Sequence, residues 1–544
     1  MQVEECSKAL TPNGSETPED SWLKKSLEKS EEIDPDFDPN QKDSDGDDDE
    51  PLLYRASKIP YNFKKDRVLF VYESQLKKLM KTCMKCDETV IKHEVSELQG
   101  TQYNVKMECL NGCLTTWSSQ PKAKSLKGIG NLMVTSAIEL SGISYPKFKR
   151  FAHALNLKIM EKTTFFDLRG KHLFPEVHET WKEHRGNLVE EVNSRGKPVS
   201  ISVDGQCDSP GYNATYCTVT SMDVDTNKIL DFKVECKNSQ GMEKEGFIRS
   251  IVQLVEELID LAVISTDRHT QIKKLMATDP LFNWLIHQFD PWHMAKGLSK
   301  KIIKASKKKG YEKLADWATM IVNHLYWAAQ NCNQNGEELA ERFNSVIHRI
   351  VDRHEFPGNH CTSCPPHDKS HQYDWLKAGS KPHEALKKII FNAEFQKDLR
   401  KLNLNVFTTH LEVFHALKIR YLPKSIFYEQ DKMECGMMLA ALDHNLNINR
   451  EQKQTLKEGK LVRRFKIAYH KYSKRFVAKQ VKKDKSYDFL RDIAVRCHHT
   501  VAAGNRKFTT KRKRLYVTPA ERPAREETIE RSTKFSRMAV KDNQ

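Results

Sequence analysis

No window of this sequence approaches the roughly 18 consecutive apolar residues that a membrane-spanning helix needs, so no membrane partner is expected. The first residues, MQVEECSKALTPNGSE, carry neither a basic start nor an apolar core, and no secretory signal is expected either. Apolar residues make up only 38% of the 544 against 30% charged ones, so part of the chain is expected to lie outside any packed core. Thirteen cysteines, an odd number scattered over a long chain, do not form the pattern of a secreted disulfide framework. These absences point to an intracellular protein with reduced thiols.

Acid is scarce in relative terms except in one place. The segment EEIDPDFDPNQKDSDGDDDE, residues 31–50, is dominated by acid, Pro and Gly, and residues 1–65 are read as a disordered acidic tail. The whole chain still carries a net charge of +16, so the remainder is more basic than the total suggests. A strongly positive folded part calls for a polyanionic partner, above all nucleic acid. The run from Lys511 to Arg514 suits nuclear import, which makes the nucleus the expected location; a basic tail touching nothing is the equal alternative.

Residues 66–125 read as a zinc-ribbon-like module. Cys83-x-x-Cys86 is followed by strand-like alternation and then by Cys109 and Cys113. Two close cysteine pairs joined by a hairpin-sized spacer bring four thiolates onto one tetrahedral Zn²⁺ ion. His93, between the pairs, reads as a surface residue. Residues 126–195 read as helices, with plain packing or a helix-turn-helix as the two readings of their basic faces.

The segment KPVSISVDGQCDS, 197–209, sets the question of function. Residues 199–203 have the composition of a strand, and Asp204 followed by Gly205 reads as a turn unless partner carboxylates follow. They do follow. Two long strands around a turn at Asp225 to Lys228 lead to a helix, and a short apolar strand, Ala262 to Ser265, then ends at Asp267. A third apolar segment ends at Asp290, and a basic helix begins near Pro291. Strand, hairpin, helix, strand, helix, strand, helix is the plan of a ribonuclease-H-like fold, whose first and fourth strands are central neighbours; their ends would bring Asp204 and Asp267 together. The expected fold class is therefore α/β, a mixed sheet over residues 196–304.

Two adjacent carboxylates do not both stay ionised unless cations lie between them, and a pair of Mg²⁺ (or Mn²⁺) ions would serve. A third acid on a helix is expected, and Glu412 is the candidate. The gap before it, 305–404, reads as an all-helical insertion, with 405–450 closing the core. Asp208, Asp223 and Asp225 read as turn residues, and Glu243 and Glu245 as acids favoured by a helix N-terminus.

Asp204 in SVDGQCDSPG, Asp267 in STDRH, Asp290-x-x-His293 in FDPWHMAKGL and Glu412 in HLEVFHALKIRYLPK together resemble eukaryotic DDE transposases of the Mutator-like and Kolobok kind. The resemblance covers roughly residues 80–450. It implies that Asp204, Asp267 and Glu412 bind the catalytic metals, and that Asp290 and His293 are accessory, His293 toward a phosphate or a ligand. It further implies cut-and-paste transposition on double-stranded DNA, at terminal inverted repeats and at the target, by a homodimer or higher oligomer. A catalytically inactive DNA-binding derivative and a structure-selective nuclease on the same fold are the alternatives. Relatives often begin with an additional zinc-dependent DNA-binding domain, and no counterpart is legible in residues 1–65.

Three further readings concern the rest of the chain. His360, Cys361, Cys364 and His367, in a Pro-rich loop of the insertion, form a second candidate Zn²⁺ site. Trp284, Trp292, Trp317 and Trp327 read as core residues before base-stacking ones. The basic C-terminal region, 451–544, is expected to add strands or a helix before turning disordered, and to contact phosphates without reading sequence.

Overall fold

A computed structural model describes residues 67–95, 100–121, 129–209, 214–236, 241–353, 374–402, 408–424, 426–457, 459–470 and 475–502. The acidic tail, the second cysteine cluster and the Lys511 to Arg514 run lie outside the described residues. No helix among the described residues is long and apolar enough to cross a membrane.

A short helix, α1 (Glu73–Leu79), opens the described chain, followed by β1 (Val90–Val95), β2 (Asn104–Cys109) and β3 (Leu114–Ser118) in one antiparallel sheet of order β1-β2-β3. The hydrophobic cluster beneath it is small: Met80, Val90, Val105 and Met107, with the buried thiols of Cys83 and Cys109. So few buried side chains do not hold a unit of this size without a staple.

Helices α2 (Ile129–Leu140), α3 (Tyr145–Ala154) and α4 (Lys162–Leu168) follow, then a π-helical turn (Arg169–Leu173) that runs into α5 (Phe174–Asn193). Tyr145, Met160, Phe165 and Ile138 form their common core, and the Tyr145 hydroxyl donates to the Met160 carbonyl at 2.8 Å. The outer face of α3 carries the exposed Lys147, Lys149 and Arg150.

Strands β4 (Val199–Cys207), β5 (Tyr216–Asp223) and β6 (Ile229–Cys236) come next, then helix α6 (Met242–Glu256), β7 (Leu261–Thr266), helix α7 (Thr270–Thr278), β8 (Ile286–Phe289) and helix α8 (Pro291–Ser306). The sheet order is β6-β5-β4-β7-β8, antiparallel from β6 to β4 and parallel from β4 to β8. All eight residues of β5 are buried, which requires cover on both faces. Alternation along the strand distributes it: Cys217 and Val219 join Phe247, Ile251 and Leu254 of α6, while Tyr216 and Met222 face Val177 and Trp181 of α5.

The segment after α8 is helical: α9 (Leu314–Gln330), α10 (Gly336–Asn344), α11 (Val346–Arg349), α12 (Lys381–Ile390) and α13 (Ala393–Leu399). These helices build their own core around Trp317, Leu325, Phe343, Ile390 and Phe395 and share it with Phe289 and Leu298 of the sheet layer. The chain then returns through α14 (Thr409–Tyr421) and α15 (Gln430–Asn447), whose Leu411, Phe414, Met437 and Leu439 lie in the cluster that covers the β5–β6 face. Two hairpins, β9 (Gln454–Lys457) with β10 (Lys460–Arg463) and β11 (Phe465–His470) with β12 (Arg475–Gln480), precede the last helix, α16 (Asp488–Ala502).

Candidate functional site

The centre of the sheet positions the first two acids. β4 and β7 are parallel neighbours with Ser202 opposite Ser265, so two further residues along each chain set Asp204 across from Asp267. β4 does not stop at Asp204, however. It continues to Cys207, with Asp204 opposite Thr220, Gly205 opposite Val219 and Cys207 opposite Cys217, so the turn reading of Asp204–Gly205 is overturned. The Gly205 amide donates to Asp204 Oδ1 at 2.9 Å, and the His269 amide donates to Asp267 Oδ1 at 2.9 Å, which fixes each carboxylate against its own backbone.

Glu243 is the residue that sequence reasoning passed over. It stands in the first turn of α6, half-buried, while Glu245 two residues on is exposed. Its side chain crosses Gly205, where an added Cβ would meet Glu243 Cγ at 2.6 Å. Burial and then the Asp267 charge push its carboxyl up to about 7. Asp204 is raised well above the ordinary range by burial, then by Asp267, Glu243 and Glu412. Carboxyl groups from the end of β7, α6 and α14 thus all bear on Asp204 of β4.

Glu412 comes from the first turn of α14. His293 Nε2 stands between it and the sheet, 3.9 Å from Glu412 Oε1 and 3.9 Å from Asp290 Oδ2. Asp290 itself is buried and caps α8: its Oδ2 accepts from the His293 amide at 3.3 Å, and its Oδ1 accepts from the Thr408 amide at 3.3 Å. The second bond ties the start of α8 to the residue preceding α14, so Asp290 sets the origin of the helix that carries Glu412.

One face of α14 continues the site inward. Glu412, His415 and Lys418 are spaced i, i+3, i+6, one above the other on the helix. His415 is buried with Nδ1 3.5 Å from Asp204 Oδ2, and burial holds its imidazole far below the ordinary pKa, hence neutral. Burial likewise lowers Lys418 to about 7, and its amine donates to Thr218 Oγ1 at 2.7 Å.

The helical segment clamps the loop beside Asp267. Asp398 of α13 is fully buried and accepts from Arg268 Nε at 2.8 Å and from Lys273 Nζ at 2.5 Å. Arg268 is the neighbour of Asp267 in the chain, and Lys273 stands one turn into α7, so the helical segment holds this loop by charge.

The donor chemistry of the acidic group fits Mg²⁺ or Mn²⁺. Carboxylate oxygens are hard donors, and the half-buried Asp204, raised by three other acids, gains from any cation set among them. The oxygens are spread more widely than a single ion requires: among the described residues, only the four cysteines bring three or more ligand atoms within 4.8 Å of one another.

Cys83, Cys86, Cys109 and Cys113 form that tight set, with Cys86 Sγ 3.6 Å from Cys109 Sγ and 3.7 Å from Cys113 Sγ. Tetrahedral ligands at a Zn–S distance of ~2.3 Å stand about 3.8 Å apart, so the spacing suits zinc. The Lys85 amide holds Cys83 down to about 7, while the neighbouring thiols Cys86 and Cys109 push Cys113 up to about 12. Bringing a cation into this crowd removes the conflict. All cysteines among the described residues are free thiols. His93 stays out of the set, exposed, with Nε2 3.0 Å from the Met80 carbonyl.

His360, Cys361, Cys364 and His367 lie outside the described residues. Of the tryptophans, Trp317 and Trp292 are buried and Trp327 half-buried, whereas Trp284 is 54% exposed, which corrects its reading as a core residue. Its ring nitrogen donates to the Leu281 carbonyl at 2.9 Å, so the side chain folds back onto its own turn rather than into a core.

No protein-family model matches this chain, and no curated protein matches it. Among solved structures, the Drosophila P element transposase strand transfer complex is similar at 11% identity over 57% of this chain and 91% of that chain, with a TM-score of 0.24. A likeness that loose carries no argument about this chain.

Proposed function

We propose that the chain is a metal-dependent enzyme that cuts and joins DNA strands, a transposase or a derivative of one, on a ribonuclease-H-like core. One observation carries the reading: Asp204 and Asp267 stand across from each other at the ends of the parallel strands β4 and β7, and the helix that carries Glu412 sets His415, one turn on, 3.5 Å from Asp204 Oδ2. The sheet order and the two parallel central strands support the core assignment. The finer kinship with Mutator-like and Kolobok enzymes rests on the ordered residues Asp204, Asp267, Asp290-x-x-His293 and Glu412 alone.

In this reading Asp204, Asp267 and Glu412 hold Mg²⁺ or Mn²⁺, with Glu243 reaching the same ions across Gly205. The bound metal supplies Lewis acidity and lowers the pKa of a coordinated oxygen. Asp290 fixes the start of α14, so Glu412 enters the site at a set height. His293 offers its ring to a phosphate oxygen, and the neutral His415 keeps Asp204 oriented. Positioning and charge stabilisation then suffice: water opens the phosphodiester to leave a 3′-hydroxyl, and that hydroxyl displaces a strand of the target by transesterification. Binding two element ends implies at least a dimer, and the basic run from Lys511 to Arg514 implies the nucleus.

A plasmid bearing the genomic flanks of the coding region, incubated with the protein and Mg²⁺ or Mn²⁺, tests this. Cleavage and joining that vanish in Asp204→Asn are the expected result. Cleavage without joining leaves a nuclease, and binding without cleavage leaves a DNA-binding protein; each of these overturns the reading.

A further inference from the structure

We propose that the two hairpins between α15 and α16 form a docking surface for duplex DNA, an inference that rests on the DNA reading above. Between Glu451 and Lys485 the sequence holds thirteen lysines and arginines against three acids, so much of the chain's net charge of +16 is concentrated here. Two of the acids are spent at the root of the hairpins, where Lys483 pairs with Glu451 at 2.7 Å and Lys453 with Asp484 at 3.0 Å.

Further out, the register sets like charges face to face. Lys457 lies opposite Lys460 in the first hairpin, and Lys466 lies opposite Lys479 in the second. Directly opposed like charges are unfavourable in an isolated hairpin. A row of phosphates laid across both hairpins reverses the sign of that term.

Alternation divides the second hairpin into two faces. Lys466, Lys479 and Arg475 share one with Ala468 and Val477. Phe465, Ile467, Tyr469 and Phe476 share the other, and these four are 54%, 75%, 55% and 72% exposed. Tyr469 and Phe476 meet edge to face with ring centres 5.3 Å apart. A two-stranded ribbon has the width that a major groove admits, and the face carrying Lys466, Lys479 and Arg475 is the one that meets the phosphates, the apolar face lying opposite to it. Charge complementarity therefore selects DNA as the occupant over a second copy of this equally basic ribbon.

The ribbon is anchored rather than free. Arg450 donates to the Lys483 carbonyl at 2.8 Å and Asn447 to the Ser486 carbonyl at 3.0 Å, which ties the chain leaving the hairpins back to the end of α15 from which it entered them. α15 and α14 contribute to one hydrophobic cluster, so DNA held by the ribbon is held by the layer that carries Glu412.

Full-length protein titrated with a labelled 30-base-pair duplex over a series of salt concentrations tests the proposal. Each phosphate contact adds roughly 0.9 to the slope of log affinity against log salt. Lys466→Glu combined with Lys479→Glu is expected to flatten the slope by about 2 and to weaken binding at least tenfold at ~0.15 M salt. Lys457→Gln with Lys460→Gln, on the other hairpin, is expected to act in the same direction and guards against misfolding of the first variant. Slopes equal to wild type in both variants overturn the ribbon proposal while leaving the DNA reading intact. A wild-type protein that binds no duplex overturns both. Dissociation of an oligomer on Phe465→Ser with Phe476→Ser, with the salt slope unmoved in the charge variants, makes the ribbon a self-association face and likewise overturns the proposal.

Discussion

Glu243 lies across Gly205 so closely that a Cβ on the glycine would stand 2.6 Å from Glu243 Cγ and 2.8 Å from Cδ. The bare backbone next to Asp204 is therefore the space through which an acid on α6 enters the carboxylate group. Gly205→Ala should push Glu243 out, at an overpacking cost of about 1–3 kcal/mol. Its midpoint in urea should fall, and Gly205→Ala combined with Glu243→Ala should recover most of the loss. A double variant no more stable than the single one would place the crowding elsewhere.

The same residue makes a pH prediction with a definite sign. Burial and Asp267 raise the Glu243 carboxyl from 4.5 to about 7, so between those values the folded protein keeps a proton that the unfolded chain has released. Its contribution to stability is then fully present below 4.5 and is lost as pH rises through about 7. A divalent cation takes the place of that proton. The rise in melting temperature on adding Mn²⁺ should therefore be larger at pH 8 than at pH 6, and Glu243→Gln should reduce the difference. Equal Mn²⁺ effects at both pH values in the wild-type protein would remove Glu243 from the ion's surroundings.

The mixed sheet and its helices were open to sequence reasoning because buried parallel strands leave short apolar runs, and the hairpin turn at Asp225 to Lys228 has its own chemistry. Asp204 and Asp267 stand out because an acid ending such a run is unusual. Glu243 does not, since acids in the first turn of a helix are common and Glu243 and Glu245 differ only in which face they occupy. Only Gly205, inside a strand, pointed to a close approach, and it was open to a turn reading. His415 and Lys418 were hidden for another reason: their i, i+3, i+6 spacing from Glu412 gains meaning only when that face of α14 turns inward. The strands β9 to β12 cover no core, so even the apolar side of β11 and β12, with Phe465, Ile467, Tyr469 and Phe476, stays exposed and left strands and a helix as equal expectations there.

Zinc should be structural in the ribbon. The buried hydrophobic side chains there are Met80, Val90, Val105 and Met107 around two buried thiols, with Leu76, Tyr103 and Trp117 half-buried against them, too little to stand without a fixed centre. Cys83→Ser should lower the zinc content by one equivalent relative to wild type, measured by elemental analysis, and should open residues 83–118 to rapid amide exchange. The five-stranded sheet, with separate hydrophobic clusters on its faces, should keep its protection. Unchanged zinc content in Cys83→Ser would mean that these four sulphurs do not hold the ion.

The Asp398 clamp should matter more than its place in the helical segment after α8 suggests. Its carboxylate is buried, whereas Arg268 and Lys273 keep 28% and 24% side-chain exposure. Removing one partner of a wholly buried pair costs about 3–5 kcal/mol, but cations that still reach water recover part of that. Asp398→Ala should accordingly destabilise the protein by ~2–3 kcal/mol in urea unfolding, whereas Glu384→Ala at the exposed Lys387 pair should leave the urea midpoint close to that of wild type. Asp398→Asn keeps an acceptor for Arg268 and should fall between the two. Because Arg268 adjoins Asp267, the loop it releases should also misplace that acid, so Asp398→Ala should weaken the Mn²⁺-induced rise in melting temperature while Glu384→Ala leaves it intact. A full Mn²⁺ response in Asp398→Ala, despite the expected loss of stability, would show that the helical segment braces the fold without aligning the carboxylates.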